Sequence, residues 1–291
     1  MTDKSGQSNH SITSGVHMRA IKLFSLLAAI FFTTLANAAN VHVFLLVGQS
    51  NMVGRDPTPF SFSVDPRILN FSDGRAGSPL NQIEVANDPL RHDKVGPTYG
   101  TNMGRPFARA LLPTLPAGDK ILFVNRAWGG TPIYEWNKNH GPTGYVPNSS
   151  YNLPVNPYNT AINDYKAALE AVKNAGDTPL KAGIIWLQGE SDADFLTSPE
   201  MFRAATYDVL TLMRQDLDAP NMKVLILEFY QGYAGRAGKL IREQLPLAAK
   251  DLGAGFVNSD GSSVRPDGVH LTTASHEKMG VRAAEVYLKL K

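Results

Sequence analysis

Two short stretches at opposite ends of the chain carry residues that could form a proton relay. Near the front, Gly48-Gln49-Ser50-Asn51-Met52-Val53-Gly54 follows directly on the apolar run 41–47. A serine on the turn after a buried strand points its hydroxyl toward a ligand crevice, and Gly48 lets the backbone turn sharply. Near the back lies Asp267-Gly268-Val269-His270. A serine hydroxyl is a poor nucleophile until a base takes its proton. Histidine is the usual base near neutral pH, and a carboxylate orients its ring. The three-residue spacing allows a turn to set Asp267 against one ring nitrogen of His270 and leave the other for Ser50. The serine block is not the G-x-S-x-G elbow, because Met52 stands where the last glycine belongs. It also lacks the lysine of a phosphate loop and the spacing of a dinucleotide fingerprint. Taken singly, each stretch fits a plainer part as well: a turn for Ser50, a helix cap for Asp267.

Two further blocks lie between them. In Asn125-Arg126-Ala127-Trp128-Gly129-Gly130-Thr131, paired glycines leave backbone N–H groups unshielded, and Gly129 or Gly130 could stabilise an oxyanion formed by attack on an ester. In Trp186-Leu187-Gln188-Gly189-Glu190-Ser191-Asp192, the Gln188 amide could donate to the same oxyanion. Glu190 is open to three uses: supporting the base, orienting Gln188, or binding a sugar hydroxyl. Paired with Asp192 or Asp194, it would also suit a glycosidase. Gln49 and Asn51 are candidates for substrate contact. Trp128, Tyr134 and Trp136 could stack on sugar rings or belong to the core. His42 sits in a strand, and His92, His140 and His276 in loops or a helix. The chain has no cysteine and no H-E-x-x-H spacing, so no metal and no cofactor are expected.

These blocks need a scaffold. Apolar, β-branched runs at 41–47, 121–124, 183–187, 224–228 and 255–257 read as strands, and helical patterns cover 103–115, 158–174, 199–217, 236–252 and 272–290. Their alternation predicts an α/β fold with a parallel sheet of about five strands between two layers of helices, in a single domain over 39–291. Stretches 55–100 and 129–157, rich in Pro, Gly and Asn, read as long loops beyond the strand ends, where such sheets bind ligands.

Charge narrows the partners. Lys and Arg total 28 against 26 Asp and Glu, and no basic run suggests nucleic acid. Residues 18–22 are basic, 23–35 mostly apolar, and Ala36-Asn37-Ala38 offers the small residues a signal peptidase reads. The expectation is a secretory signal within 1–38, cut after Ala38, and a secreted or periplasmic chain with no membrane anchor afterwards. That cut removes Lys4, Arg19, Lys22 and Asp3, which brings the net charge from +2 to zero.

Taken together, the four blocks resemble the SGNH/GDSL-type hydrolases. The run Gly48-Gln49-Ser50-Asn51-Met52, Gly129-Gly130-Thr131 with Trp136, Gln188-Gly189-Glu190-Ser191-Asp192 and Asp267-Gly268-Val269-His270 are most similar to the sialate O-acetylesterase-like group, which includes acetylxylan esterases of carbohydrate esterase family six. The resemblance implies a three-layer, flavodoxin-like fold and metal-free removal of acetyl groups from an acetylated carbohydrate. It implies Ser50 as nucleophile, His270 as base and Asp267 as its partner. The implied oxyanion donors are the Ser50 N–H, the Gly130 N–H (with Gly129 as alternative) and the Gln188 side chain. Gln188 stands where many superfamily members carry Asn, and Glu190 stays open as an alternative partner for the histidine. A secreted carbohydrate-binding protein with an inactive site is the rival of another class. Binding alone requires neither Ser50 nor the Asp267–His270 pair.

Overall fold

The structure is a computed structural model that describes residues 38–74, 79–90, 99–139 and 156–291. The expected signal segment up to Asn37, together with His92 and His140, lies outside the described residues. Among the described residues seven strands form one sheet: β1 (Asn40–Gly48), β2 (Ile68–Asp73), β3 (Leu80–Val85), β4 (Lys120–Asn125), β5 (Thr178–Leu187), β6 (Lys223–Leu227) and β7 (Gly255–Val257). Their order is β3-β2-β4-β1-β5-β6-β7, and every pairing is parallel except β2 with β3. The five strands expected from sequence are all present. The two additional ones, β2 and β3, fall inside the stretch read as loop. β3 is an edge strand with mostly exposed or half-buried side chains. It therefore lacks the apolar run that marks a buried strand, and polar residues are what an edge favours.

The topology makes the crevice. From β1 the chain reaches β4 on one side of it, then crosses to β5 on the other side. Strand order thus reverses at β1, and in open α/β sheets ligands bind outside the carboxyl ends at such a point. Register aligns those ends: Leu46 lies opposite Asn125 and Ile185, and Gly48 opposite Leu187. The segments leaving the three strands therefore start at one level.

Helices α1 (Ser50–Val53), α2 (Gly104–Leu111), α3 (Pro157–Asn174), α4 (Glu190–Phe195), α5 (Pro199–Asp216), α6 (Gly238–Leu252) and α7 (Thr273–Lys289) complete the fold. α2 gives way early to a tighter turn at Leu112–Thr114, where Pro113 lacks the N–H a continuing helix needs. β1 is buried from Val43 to Gly48, as a strand covered on both faces must be. On one face Phe44 meets Phe107 of α2 and Tyr287 of α7, with ring centroids 5.0 and 5.3 Å away. Burial of such a ring contributes about 1.5–3 kcal/mol. From α3, the Tyr165 hydroxyl donates to the Val43 carbonyl at 3.0 Å. Among the described residues no helix is long and apolar enough to cross a membrane.

Candidate active site

Gly48 is the first constraint. Its φ is 131°, and a Cβ there would lie 2.0 Å from the Leu187 carbonyl oxygen, so the strand end admits only glycine. The Gln49 N–H donates to that same carbonyl at 2.9 Å. The chain then enters α1 with Ser50 as its first residue, whose N–H has no intrahelical acceptor.

The second constraint is a turn after β7. Arg265 N–H donates to the His270 carbonyl at 2.7 Å, and Thr272 N–H to Ser263 at 3.1 Å. Gly268, with φ of 75°, sits within this turn. Asp267 Oδ1 accepts from the Val269 and His270 N–H groups, both at 2.9 Å. Its Oδ2 is 3.0 Å from His270 Nδ1, and His270 Nε2 is 3.0 Å from Ser50 Oγ. Nδ1–H thus donates to the carboxylate and Nε2 accepts from the serine. Asp267 is no helix cap: Thr272 caps α7 instead, accepting from Ser275 N–H at 3.3 Å.

The electrostatics suit a base. Burial pushes Asp267 up, but the backbone N–H groups of His270 and Val269 and the His270 ring outweigh it and hold the carboxyl at about 2. Burial lowers His270 below its ordinary value, against the opposing pull of Asp267. The ring is therefore neutral, and able to accept a proton, at neutral pH.

Several residues singled out in the sequence stand elsewhere. Glu190 does not reach His270; its Oε1 accepts from Asn51 Nδ2 at 2.6 Å, and it is 2% exposed. Asn51 is fully buried and spent on Glu190, the Val269 carbonyl and the Leu271 N–H, so it holds the site rather than facing a substrate. The Gln188 amide nitrogen donates to Asp192 and to the Thr131 carbonyl, in a fully buried position. It is not among the residues that line the cleft with Ser50. Asp192 is also fully buried, accepting from Ile133 N–H and Thr197 Oγ as well, and is no partner for a glycosidase pair. Trp136 packs edge-on against Trp186 at 5.1 Å in the core, and Trp128 is 4% exposed; neither lines the cleft. Burial pushes Glu190 up to about 7 and Asp192 to about 6.

The cleft beside Ser50 has a volume of about 660 Å³. Gln49, Gly129 and Gly130 line it next to the serine. The Gln49 Oε1 accepts from the Gly189 and Ser191 N–H groups at 3.4 and 3.2 Å, which leaves its NH₂ as the polar group available to the cleft. Gly130 has a φ of 77°, which explains the second glycine of the pair. Below the glycines, the buried Arg126 guanidinium donates to Asp164 at 2.5 Å and to the carbonyls of Phe71, Asn125 and Ser72. The loop thus leaves β4 from a fixed base. Asp194, weighed in the sequence as a glycosidase partner of Glu190, lines the cleft, as do Arg55, Phe195, Tyr233 and Arg265, which were not singled out. The one available signal for Phe195 was that it continues the helix opened by Glu190. Among the described residues, no three His, Asp or Glu side chains are grouped to hold a metal ion.

A family model described as carbohydrate esterase, sialic acid-specific acetylesterase matches residues 40–289. The chain belongs to that esterase family. Its similarity to a probable carbohydrate esterase of Arabidopsis thaliana reaches 28% identity over 258 residues, covering 84% of this chain and 90% of the relative. The crystal structure of an Arabidopsis thaliana protein matches with a TM-score of 0.68 at 23% identity, covering 86% of this chain and 99% of that one. A carbohydrate acetylesterase from Xanthomonas citri matches at 0.59 and 19% identity, covering 85% of this chain and 56% of that one. NanS matches at 0.56 and 19%, covering 87% and 98%. These structures share the esterase family's sheet and helix layers, as the strand–helix alternation and the four blocks led one to expect.

Proposed function

We propose that the protein is a serine esterase that removes O-acetyl groups from a carbohydrate. The observation that carries this reading is the unbroken line from Ser50 Oγ through His270 to Asp267, opening on a cleft. Ser50 Oγ attacks the acetyl carbonyl carbon as His270 Nε2 takes its proton. Asp267 holds the ring by Nδ1 and stabilises the imidazolium. The oxyanion sits among the Ser50 N–H, the Gly130 N–H (Gly129 is the neighbouring alternative) and the Gln49 NH₂, which replaces Gln188 as third donor. His270 then protonates the departing sugar oxygen. A water molecule, deprotonated by the same nitrogen, attacks the acetyl-serine and releases acetate. The general base contributes about 10²–10⁴-fold, and each oxyanion donor about 10²–10³-fold.

Acetate release from O-acetylated glycans by wild type and Ser50→Ala tests the reading. The variant is expected to lose about 10⁴-fold or more in kcat/KM while remaining folded. Undiminished turnover by Ser50→Ala would remove the nucleophile, and with it the mechanism. Export is part of the same proposal, supported by the pattern of residues 18–38. N-terminal sequencing of protein recovered outside the cytoplasm should begin at Ala39.

A further inference from the structure

Acyl transfer uses only part of the cleft. Another part is built by the end of α4 and the segment before α6, which set Asp194, Phe195 and Tyr233 around the same space. The Phe195 ring is 38% exposed there. α4 stops at this residue because Leu196 adopts the left-handed conformation, with φ 58° and ψ 39°, which a residue bearing a Cβ disfavours. The turn is nonetheless tied down. Thr197 N–H donates to the Asp192 carbonyl at 3.0 Å and Thr197 Oγ to its carboxylate at 2.9 Å. That carboxylate also accepts from Ile133 N–H at 3.0 Å, in the segment following the paired glycines. The phenyl ring is thus presented outward from a fixed turn and is connected to the oxyanion loop through Asp192.

Beside it, the Tyr233 hydroxyl donates to Asp194 Oδ2 at 2.7 Å. Asp194 is exposed, and its Oδ1 is not engaged by any hydrogen bond among the described residues. An aromatic face next to a carboxylate oxygen is the complement of a pyranose: one face of axial C–H groups, rimmed by hydroxyl donors. The ring face buries apolar surface on the phenyl group, and the hydroxyls find an acceptor at their edge.

We propose that Phe195 is the stacking platform for the sugar ring that leaves in deacetylation, with Asp194 accepting from its free hydroxyls. This rests on the acetylesterase reading and names its substrate face: a pyranose ring carrying uncharged, unacetylated hydroxyls toward Asp194.

The test compares wild type, Phe195→Ala and Phe195→Tyr on partially acetylated xylo-oligosaccharides and on ethyl acetate, which has no ring. Phe195→Ala should raise KM for the sugar ester about 5- to 10-fold, the equivalent of one aromatic contact, with kcat little changed. Phe195→Tyr should restore KM, and ethyl acetate turnover should be the same in all three. An unchanged KM for the sugar ester, or an equal loss on ethyl acetate, overturns the platform. If wild type hydrolyses ethyl acetate but no sugar ester, the acetylesterase reading fails on its own. Stacking is then read directly by titrating Ser50→Ala and Ser50→Ala/Phe195→Ala with xylo-oligosaccharides in chemical-shift experiments. Binding that requires Phe195 supports the platform, and binding indifferent to it, or none, overturns it.

Discussion

The Asn51 side chain grips the peptide on both sides of His270. Its Oδ1 accepts from the Leu271 N–H at 2.8 Å and its Nδ2 donates to the Val269 carbonyl at 3.2 Å. Ser50 and His270 are 220 residues apart in the chain, and Asn51, next to Ser50, ties the two segments directly at the histidine. Glu190 in turn fixes Asn51 from beyond the end of β5.

Asn51→Ala removes this strap and leaves the Leu271 N–H and Glu190 Oε1 without their partner. Each orphaned buried group costs about 1–3 kcal/mol. Loss of alignment should also cost about 10²-fold in kcat/KM, the scale of a 1 Å misplacement. Urea unfolding and steady-state acetate release check the two effects separately. Wild-type kcat/KM in a merely destabilised Asn51→Ala would detach Asn51 from the alignment of His270.

Gln49 and Gln188 should behave differently. Gln49→Glu keeps an oxygen for the Gly189 and Ser191 N–H groups but replaces the NH₂ facing the cleft with an acceptor. Its kcat should fall about 10²–10³-fold with KM little altered. Gln188→Ala acts on a fully buried amide that anchors Asp192 and Thr131. Stability should drop by about 1–3 kcal/mol, with a smaller loss of kcat in the folded fraction. Thermal melts beside initial rates separate the pair, and the reverse ranking in kcat would return the third donor to Gln188.

Part of this site could be read from the sequence once the four blocks were taken together. Ser50, Asp267 and His270 were legible because each chemistry-bearing type follows a strand run or a turn signal that fixes where it points. The sheet was legible for the same reason in its central strands, whose apolar runs reflect burial on both faces. β3 was not, because an edge strand carries little apolar signal. Gln188, expected as the third donor, instead points its amide at Asp192 and Thr131, for a subtler reason. Gln49 and Gln188 both sit at strand ends with the same side chain, and which amide faces the crevice depends on the neighbouring N–H groups, which no residue pattern records. Trp128 and Trp136 look like sugar platforms by type, but packing against Trp186 and the core claims Trp136. The exposed ring that lines the cleft is Phe195, whose presentation hangs on the left-handed backbone of Leu196.

Acidity should expose the state of His270. Burial lowers its pKa, with Asp267 pulling the other way, while Asp267 at about 2 stays ionised throughout the working range. The acid limb of kcat/KM should therefore show one ionisation with a midpoint below 6.5, since protonating Nε2 removes the base. Asp267→Asn withdraws the interaction that raises the ring. The midpoint should move further to acid while the plateau falls by about 10⁴-fold, as the ring loses its orienting partner. A pH–rate series on a soluble acetate ester measures both, and an alkaline shift of the midpoint in Asp267→Asn would contradict the assigned pairing.

His276 should govern the acid stability of the fold without serving the reaction. It lies on α7, fully buried, and neither ring nitrogen has a hydrogen-bond partner among the described residues. Burial drives its pKa down to about 3 from the ordinary 6.5, with Asp56 opposing and His270 adding to the shift. The unfolded chain takes up a proton as pH falls through about 6.5, and the folded chain does not until about 3. Between those values the unfolded state binds more protons, so stability falls as pH falls, by up to about 1.4 kcal/mol per pH unit from this group. Asp56 and Asp267, both held below their ordinary values, add acid loss of the same sign in wild type and variant alike. His276→Leu removes only the histidine's share and the unsatisfied ring nitrogens with it. Urea midpoints at pH 7, 5 and 4 should therefore diverge, with the variant gaining on wild type at each acid step. Parallel pH dependences would mean that the ring is solvated or partnered in solution, and that α7 does not carry this cost.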